Sequence, residues 1–162
     1  MITYRTALDT EWPAIIDLCT LTIKHINSQD YLPEQVREWV SRISNPGRMK
    51  NRLIEQSVWV AVDRDSLAGV ITWKSIGYID LLYVSRDHQR QGIGSRLLAI
   101  AEEVLSEINV REIQVDVSLT AKPLFEQNGY EVLQMQQVVI GAATLTNFKM
   151  VKRLNVPEEQ KQ

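Results

Sequence analysis

The chain has 162 residues, a hydrophobic share of 44% and a formal net charge of -2 at pH 7. This length is enough for one domain with a substantial core, and the hydrophobic share excludes a chain that is disordered throughout. The acidic balance argues against binding dominated by nucleic-acid phosphates, and no apolar run reaches the roughly 18 residues of a membrane span. We therefore expect no nucleic-acid partner and no membrane partner.

The N-terminal part of the chain predicts one strand followed by two helices. Residues 2–8 alternate well enough for a strand, and a helix with Pro13 in its first turn follows. A second helix begins at Pro33, and the Asn45-Pro46-Gly47 sequence predicts its end. The apolar residues of the first helix form one stripe, which makes the single cysteine a core residue rather than a nucleophile: Ile15, Ile16, Cys19, Ile23 and Ile26. One cysteine allows no internal disulfide and no zinc site built from cysteines alone, so we expect no metal, and it fits a reducing cytoplasm. The N-terminus has no long apolar run, so we expect no signal peptide.

Three antiparallel strands are predicted in the middle of the chain. Residues 48–56 have mixed character and predict at most a short helical turn, whereas residues 57–62 and 67–73 form a hairpin. The third strand, residues 78–84, is aromatic and branched-aliphatic apart from Asp80. We expect that strand to be buried on most of both faces.

A loop with two glycines, residues 85–94, joins this strand to a long helix that we predict from Ser95 to Ile108. A glycine loop at a helix N-terminus is an anion site, because backbone N–H groups point outward and the helix dipole favours negative charge. Gly92 and Gly94 are expected to let the main chain approach a ligand closely.

The C-terminal part predicts a strand parallel to residues 78–84, a short helix and a hairpin. Two parallel strands that splay apart leave a slot at their C-terminal ends, where ligands bind in α/β sheets. Thr120 is expected to cap the short helix, and Gly129 to end it. The ranges are 113–118 for the strand, 121–128 for the helix, 130–140 and 143–152 for the hairpin, and 155–162 for a polar tail.

Several kinds of glycine loop are compatible with an anion site. A dinucleotide fingerprint needs a third glycine where Leu97 stands, a Walker loop needs a Gly-Lys-Ser/Thr ending, and an ordinary strand–turn–helix without ligand is also possible. The remaining pattern is Gln-x-x-Gly-x-Gly over residues 89–94. In its position between strand and helix it resembles the glycine loop of the GNAT superfamily of N-acetyltransferases. Residues 121–130 resemble the second motif of that superfamily, a short helix followed by Gly and an aromatic residue.

The resemblance implies a single α/β domain over residues 1–154, with a mixed, mostly antiparallel sheet and helices on both faces. It also implies transfer of an acetyl group from acetyl-CoA to a primary amine of a small molecule or peptide. The residues implied to bind acetyl-CoA, the co-substrate, are Leu82, Tyr83, Val84, Gln89, Arg90, Gln91, Gly92, Ile93, Gly94, Ser95, Arg96, Ser118 and Phe125.

Two residues depart from the pattern of the family. Many members have a tyrosine at the position of Phe125, thought to protonate the leaving thiolate, and many have an asparagine at the position of Ser118. The remaining candidates to protonate the thiolate are water and four hydroxyls, with Ser118 and Tyr130 ranked first among weak candidates: Tyr83, Ser118, Thr120 and Tyr130.

A carboxylate can accept the proton that an ammonium loses before it attacks the thioester. Asp80 is one candidate, because burial in its strand would raise its pKa, although it could equally face outward and pair with a base. Asp116, inside the parallel strand, is the other. Backbone N–H groups of residues 82–84 could stabilise the oxyanion if a bulge frees them.

The remaining predictions concern the acceptor and possible partners. Tyr31 and Trp39 could line the acceptor pocket, with a core position for Trp39 and a surface position for Tyr31 as an equal alternative. Arg90 and Arg96 are candidate phosphate contacts, whereas residues 48–52 form a basic cluster interpreted mainly as a solvated surface. Rival functions are an acyl-CoA-binding module with weak or no catalysis and a modifier of protein or tRNA amines. The last hairpin could also pair between subunits of a homodimer.

Overall fold

The computed structural model describes residues 1–155. Within these residues the strands are β1 (Ile2–Thr6), β2 (Ser57–Asp63), β3 (Ser66–Lys74), β4 (Tyr78–Val84), β5 (Glu112–Ser118), β6 (Glu131–Ile140) and β7 (Ala143–Arg153). The helices are α1 (Trp12–His25), α2 (Pro33–Ile43), α3 (Pro46–Ile54), α4 (Ile93–Glu107) and α5 (Lys122–Gln127). The strands form one sheet in the order β1-β2-β3-β4-β5-β7-β6. Only β4 and β5 pair in parallel, so the predicted mixed, mostly antiparallel sheet is confirmed.

Two hydrophobic layers cover the two faces of this sheet. On one face α1, α2 and α3 bury residues such as Ile15, Ile43 and Leu53. On the other face α4 and α5 bury residues such as Leu97 and Phe125. The predicted helices on both faces are therefore confirmed, and each layer removes apolar surface from water on its own side.

Strand β4 contains a bulge at Asp80. Thr72 of β3 pairs with Leu81 and Trp73 pairs with Ile79, so Asp80 is an extra residue without a partner in β3. Ile79 packs in the layer under α4, whereas Leu81 packs in the layer under α1. The bulge thus reverses the faces on which the following side chains lie.

Strands β4 and β5 separate soon after they begin. Their parallel pairing is limited to Tyr78 with Gln114 and Ile79 with Val115. Beyond these pairs β5 continues beside β7 as far as Ser118, while β4 stays paired with β3 as far as Val84. The predicted slot between two splayed parallel strands is therefore present.

Among the predicted boundaries that differ from the structure, two bear on the site. Residues 46–54 form the full helix α3 rather than a short turn, because Asn45 accepts the Arg48 N–H at 3.0 Å and Pro46 occupies the first turn. The Asn-Pro-Gly sequence thus begins a helix as well as ending one. Helix α4 begins at Ile93 instead of Ser95, directly after Gly92.

Cys19 is a buried core residue, as predicted, and burial raises the pKa of its thiol to about 12. No helix within residues 1–155 has the length and apolarity needed to cross a bilayer. The predicted polar tail lies outside the described residues except for Asn155, which belongs to no helix or strand.

Candidate active site

A cleft of about 760 Å³ lies between the separated ends of β4 and β5 and extends to the N-terminal end of α4 and to α5. A larger groove of about 1330 Å³ lies elsewhere, between the start of α1, α3 and the start of β2. That groove includes neither the glycine loop nor either candidate base, so the smaller cleft is the candidate site. The predicted residues that line the cleft are Trp39, Asp80, Leu82, Tyr83, Val84, Gln89, Arg90, Gly92, Ile93, Gly94, Ser95, Asp116, Ser118 and Phe125.

Four predicted site residues are not among those that line the cleft. Arg96 lies over the ring of Tyr4 on β1, with its guanidinium carbon 5.8 Å from the ring centroid. Gln91 belongs to the loop without lining the cleft, and Tyr31 and Tyr130 engage their hydroxyls elsewhere in the fold. Arg90 is the arginine of the glycine loop that borders the cleft.

The glycine loop owes its shape to one side chain and to left-handed backbone positions. Gln89 donates its side-chain amide to the carbonyl of Val84 at 2.7 Å and to that of Ser85 at 3.3 Å. Arg90 has a φ of 59° and Gly92 a φ of 79°, so the chain turns sharply before α4 begins. Gln89 therefore fixes the loop against the end of β4.

The two glycines of the loop have different roles. A Cβ on Gly92 would meet no atom within 4 Å, so the main chain is open there to a ligand, as predicted. A Cβ on Gly94 would lie 2.8 Å from Cδ2 of Leu124. Gly94 thus allows α4 to pack closely on α5. Gly94 also lines the cleft, and its role in ligand approach stays a prediction.

Backbone N–H groups of β4 point into the cleft. The N–H of Leu81 donates to Oγ1 of Thr72 at 3.1 Å and that of Ser85 donates to the carbonyl of Ala68 at 2.8 Å, both toward β3. Because N–H groups alternate in direction along a strand, those of Leu82 and Val84 point away from β3, toward the space between the separated strands β4 and β5. The bulge that frees them lies at Asp80, just before these residues.

Two buried polar atoms in the cleft lack a partner among the described residues. Nδ1 of His88 is one, while its Nε2 pairs with Asp63 at 2.9 Å. Oγ1 of Thr120 is the other, and it does not cap α5 as predicted, because the N-cap residue is Ala121 without a side-chain hydrogen bond. Buried polar groups are normally hydrogen-bonded, so these atoms fit a polar ligand in the cleft. Together with the open loop at the α4 N-terminus, they fit a phosphate-bearing thioester such as acetyl-CoA.

Asp80 forms a buried ion pair. Its carboxylate accepts from Nε of Arg52 at 2.6 Å, from Nη2 of Arg52 at 2.7 Å and from the side-chain amide of Gln56 at 2.7 Å. Burial alone would raise the pKa of Asp80, but the hydrogen bond and charge of Arg52 outweigh burial and lower it. The expectation of a raised pKa is wrong. The alternative is correct in the pairing with a base and wrong in the outward position, because the Asp80 side chain is only 10% exposed. Arg52 is likewise not part of a solvated basic surface.

Asp116 is exposed and has no ion-pair partner within the described residues. Its two oxygens accept from the hydroxyl of Tyr78 and from the side-chain amide of Gln136, each at 2.8 Å. Gln136 also donates to Oδ1 of Asn147 at 3.0 Å, which fixes its orientation. The carboxylate is thus held by neutral donors at the mouth of the cleft and keeps room for a further donor.

The hydroxyl of Tyr130 is turned away from the cleft. It donates to Oε2 of Glu102 on α4 at 2.9 Å, and burial followed by the charge of Glu102 raises its pKa. The ring of Phe125 lies against that of Tyr130 with centroids 5.0 Å apart. Ser118 does border the cleft, where its Oγ accepts the N–H of Ala121 at 3.1 Å.

Tyr31 and Trp39 form the wall on the α2 side. The Tyr31 hydroxyl donates to the carbonyl of Thr146 at 2.7 Å and accepts the N–H of Leu119 at 2.9 Å, so it ties the start of α2 to β7 and to the turn after β5. The rings of Tyr31 and Trp39 meet edge to face with centroids 5.4 Å apart. Trp39 lines the cleft, and Tyr31 supports it from behind.

The residues that sequence reasoning missed include three with polar side chains in the cleft or against Asp116. Tyr78 and Gln136 hold Asp116, and His88 lies on the short turn Arg86–His88 before the glycine loop. The position of His88 beside the motif was the one available signal. Nothing local marks Gln136, which lies 20 residues from its partner. Within residues 1–155, no three His, Cys, Asp or Glu side chains are grouped so that they could hold a metal ion.

Comparisons with known proteins agree with this geometry. A family model described as "Acetyltransferase (GNAT) domain" matches residues 27–154. The chain is 35% identical over 136 residues to the uncharacterized N-acetyltransferase YafP of Escherichia coli (strain K12), covering 82% of this chain and 85% of that protein. A GCN5-related N-acetyltransferase of Rhodopseudomonas palustris, also described as "Aminotransferase, Class-II", superposes with a TM-score of 0.90 at 26% identity, covering 94% and 95% of the two chains. PaiA N-acetyltransferase of Thermoplasma acidophilum, solved in complex with coenzyme A, shares the fold with a TM-score of 0.77 at 18% identity, covering 94% and 99% of the two chains. The chain belongs to the GNAT family of acetyltransferases.

Proposed function

We propose that this protein, acting as one domain over residues 1–154, transfers the acetyl group of acetyl-CoA to a primary amine of a small molecule or peptide. The amine attacks the thioester directly. The observation that carries the proposal is the cleft itself. It joins an open glycine loop and inward N–H groups of β4 to a carboxylate, Asp116, that forms no ion pair within the described residues.

The donor side of the cleft supplies main-chain hydrogen-bond donors. The loop around Gly92 and the N-terminus of α4 would hold the phosphates of acetyl-CoA, with Arg90 beside them. The N–H groups of Leu82 and Val84 would donate to the thioester carbonyl. Fixed donors at that oxygen stabilise the negative charge that develops as the amine adds.

The acceptor side supplies the base. Asp116 takes the first proton of the ammonium, and the neutral amine nitrogen bonds to the carbonyl carbon. The nitrogen then releases its second proton to solvent, and the C–S bond breaks with its electron pair on sulfur. Tyr78 and Gln136 orient the Asp116 carboxylate for this transfer. Asp80 is a poorer base, because Arg52 lowers its pKa and occupies both of its oxygens. Trp39 forms an apolar wall beside the amine.

An acyl-CoA-binding module with weak or no catalysis is the second candidate. Its support is that Phe125 has no hydroxyl and that the Tyr130 hydroxyl faces Glu102 instead of the cleft. Both candidate functions use the acetyl-CoA side of the cleft, and they differ in whether the protein transfers the acetyl group to an amine.

The test is calorimetric titration with acetyl-CoA, followed by a screen of amino acids, polyamines and short peptides for release of free thiol. We expect one-site binding and turnover with at least one class of amine. Asp116→Asn should reduce the rate about 100-fold or more, as expected for loss of a general base. Glu112→Gln, an exposed carboxylate on the same strand outside the cleft, is the matched control and should keep the rate. Binding without turnover would favour the second candidate, and no binding would reject both.

A further inference from the structure

Thr120 carries a hydroxyl that nothing else in the described part of the fold uses. It lies in the turn between β5 and α5 and lines the cleft. Its Oγ1 is buried and has no hydrogen-bond partner among the described residues. Leaving such a group buried and unpaired costs free energy, which a ligand in the cleft can recover by accepting its proton in a hydrogen bond.

No other hydroxyl that lines the cleft or lies beside it is both buried and unpaired among the described residues. The Tyr130 hydroxyl donates to Glu102. Burial raises the pKa of the Tyr83 hydroxyl, whose oxygen is not among the buried unpaired atoms. Ser118 Oγ accepts the Ala121 N–H at 3.1 Å and Nδ2 of Asn27 at 3.5 Å. These bonds fix the Ser118 oxygen but leave its own proton available, so Ser118 is the rival donor. Within residues 1–155, Thr120 therefore has the one cleft hydroxyl that is both buried and without a hydrogen-bond partner.

We infer that the Thr120 hydroxyl donates the hydrogen bond that stabilises the departing thiolate of coenzyme A, in place of a tyrosine at position 125. This inference rests on the proposed acetyl transfer. Phe125 and Thr120 line the same cleft, and Phe125 offers only its ring. A hydroxyl in a water-poor site interacts more strongly with an anion than it would in bulk water.

The chemistry needs no proton from Thr120. When the C–S bond breaks, its electron pair stays on sulfur. The acceptor nitrogen has by then lost two protons, one to Asp116 before it attacks and one to solvent after it has added to the carbonyl carbon. A thiol of this kind has a pKa of about 8.5 in water, so its thiolate is a competent leaving group once it is stabilised. The thiolate takes a proton from solvent as the product leaves.

The titration of bound coenzyme A tests this role without any knowledge of the amine. Thiolate absorbance in the ultraviolet is followed against pH for coenzyme A bound to the wild type, Thr120→Val, Thr120→Ser and Ser118→Ala. Valine keeps the shape of threonine without its hydroxyl, and serine keeps the hydroxyl. We expect Thr120→Val to raise the pKa of the bound thiol by about one unit, and Thr120→Ser and Ser118→Ala to leave it near the wild-type value.

Kinetics supply a second readout. Thr120→Val should lower kcat about tenfold while KM for acetyl-CoA stays within about twofold, since the hydrogen bond strengthens only as charge develops on sulfur. Its melting temperature should not fall, because the hydroxyl it removes has no partner among the described residues. Melting curves therefore confirm that each variant is folded.

Three outcomes would overturn the inference. An unchanged thiol pKa in Thr120→Val, whether or not coenzyme A binds more weakly, would mean that Thr120 does not stabilise the thiolate. A shift caused by Ser118→Ala instead would assign the role to Ser118. A wild type that binds no coenzyme A would reject the proposed function itself, and this inference with it.

Discussion

Replacing Asp80 by asparagine tests whether Asp80 serves stability while Asp116, the other carboxylate of the cleft, serves catalysis. The Asp80 side chain is 10% exposed and receives two hydrogen bonds from Arg52 and one from Gln56. An asparagine at this position would leave the guanidinium beside an amide that carries no charge. We expect a loss of stability with little loss of catalysis.

The size of the stability loss follows from the geometry of the pair. Removing one partner of a buried ion pair costs about 3–5 kcal/mol. The Arg52 side chain is 33% exposed, so water recovers part of its solvation, and we expect about 2–3 kcal/mol for Asp80→Asn. In a chain of this length each kcal/mol shifts the melting temperature by about 2–4 °C, which gives a decrease of about 4–12 °C.

The effect should depend on pH with a definite sign. Burial favours a higher pKa for Asp80, but Arg52 reverses this, and the folded-state pKa is lower than that of an unfolded aspartate, about 3.9. A lowered pKa contributes stability that is complete above about pH 4 and is lost as the pH falls through the folded-state value. The difference in melting temperature between wild type and Asp80→Asn should therefore be constant near neutral pH and narrow in acid.

The assay combines melting curves with rates of acetyl transfer at a temperature where every variant is folded. Asp80→Asn should keep the rate within about threefold, whereas Asp116→Asn should keep its melting temperature within about 2 °C and lose about 100-fold in rate. Removing both charges in Arg52→Met with Asp80→Leu should restore part of the stability. A variant Asp80→Asn with normal melting temperature and a rate about 100-fold slower would refute this reasoning and make Asp80 the base.

Further predictions concern the loop and the second motif. Gly92→Asp should weaken acetyl-CoA binding at least tenfold by calorimetry, because it puts a negative charge in the open space at a helix N-terminus where the phosphates would bind. Gly92→Ala adds only the strain of a left-handed backbone at a residue with a Cβ, so it should weaken binding less. Gly94→Ala should lower the free energy of unfolding by about 1–3 kcal/mol in urea titrations, because its Cβ would crowd Leu124. Tyr130→Phe should lower the free energy of unfolding by about 1 kcal/mol, because Glu102 loses the hydrogen bond that the Tyr130 hydroxyl donates. Its acetyl-transfer rate should stay within about twofold of the wild type. A large loss of rate would mean that Tyr130 takes part in the reaction.

The parts of the fold that local sequence controls were predictable. The run from Tyr78 to Val84 has the composition of a buried strand, and α4 shows one apolar stripe, so the strand–loop–helix unit follows from periodicity. The left-handed backbone at Gly92 follows from the residue type. These elements carry the loop that identifies the family.

Features that depend on residues distant in sequence were not predictable. Arg52 and Asp80 are 28 residues apart, and their pairing requires α3, which the mixed composition of residues 48–56 concealed. The direction of the Tyr130 hydroxyl depends on Glu102, which is also 28 residues away. Whether a side chain borders a cleft or faces a helix is decided by tertiary packing, to which a single sequence gives no direct access.

The bulge at Asp80 shows how one charged residue shapes the cleft. Without an extra residue, strict alternation would put Asp80 on the same face as Leu82 and Val84, which pack in the apolar layer under α4. A carboxylate there would be buried without its cation, at a cost of several kcal/mol. The bulge moves Asp80 to the α3 face, where Arg52 and Gln56 donate hydrogen bonds to its carboxylate. The same bulge turns the N–H of Leu82 away from β3 toward the cleft. Since the apolar side chains on either side of Asp80 keep their own faces only in this register, they and not the carboxylate hold the bulge, and Asp80→Asn should leave the inward N–H groups in place.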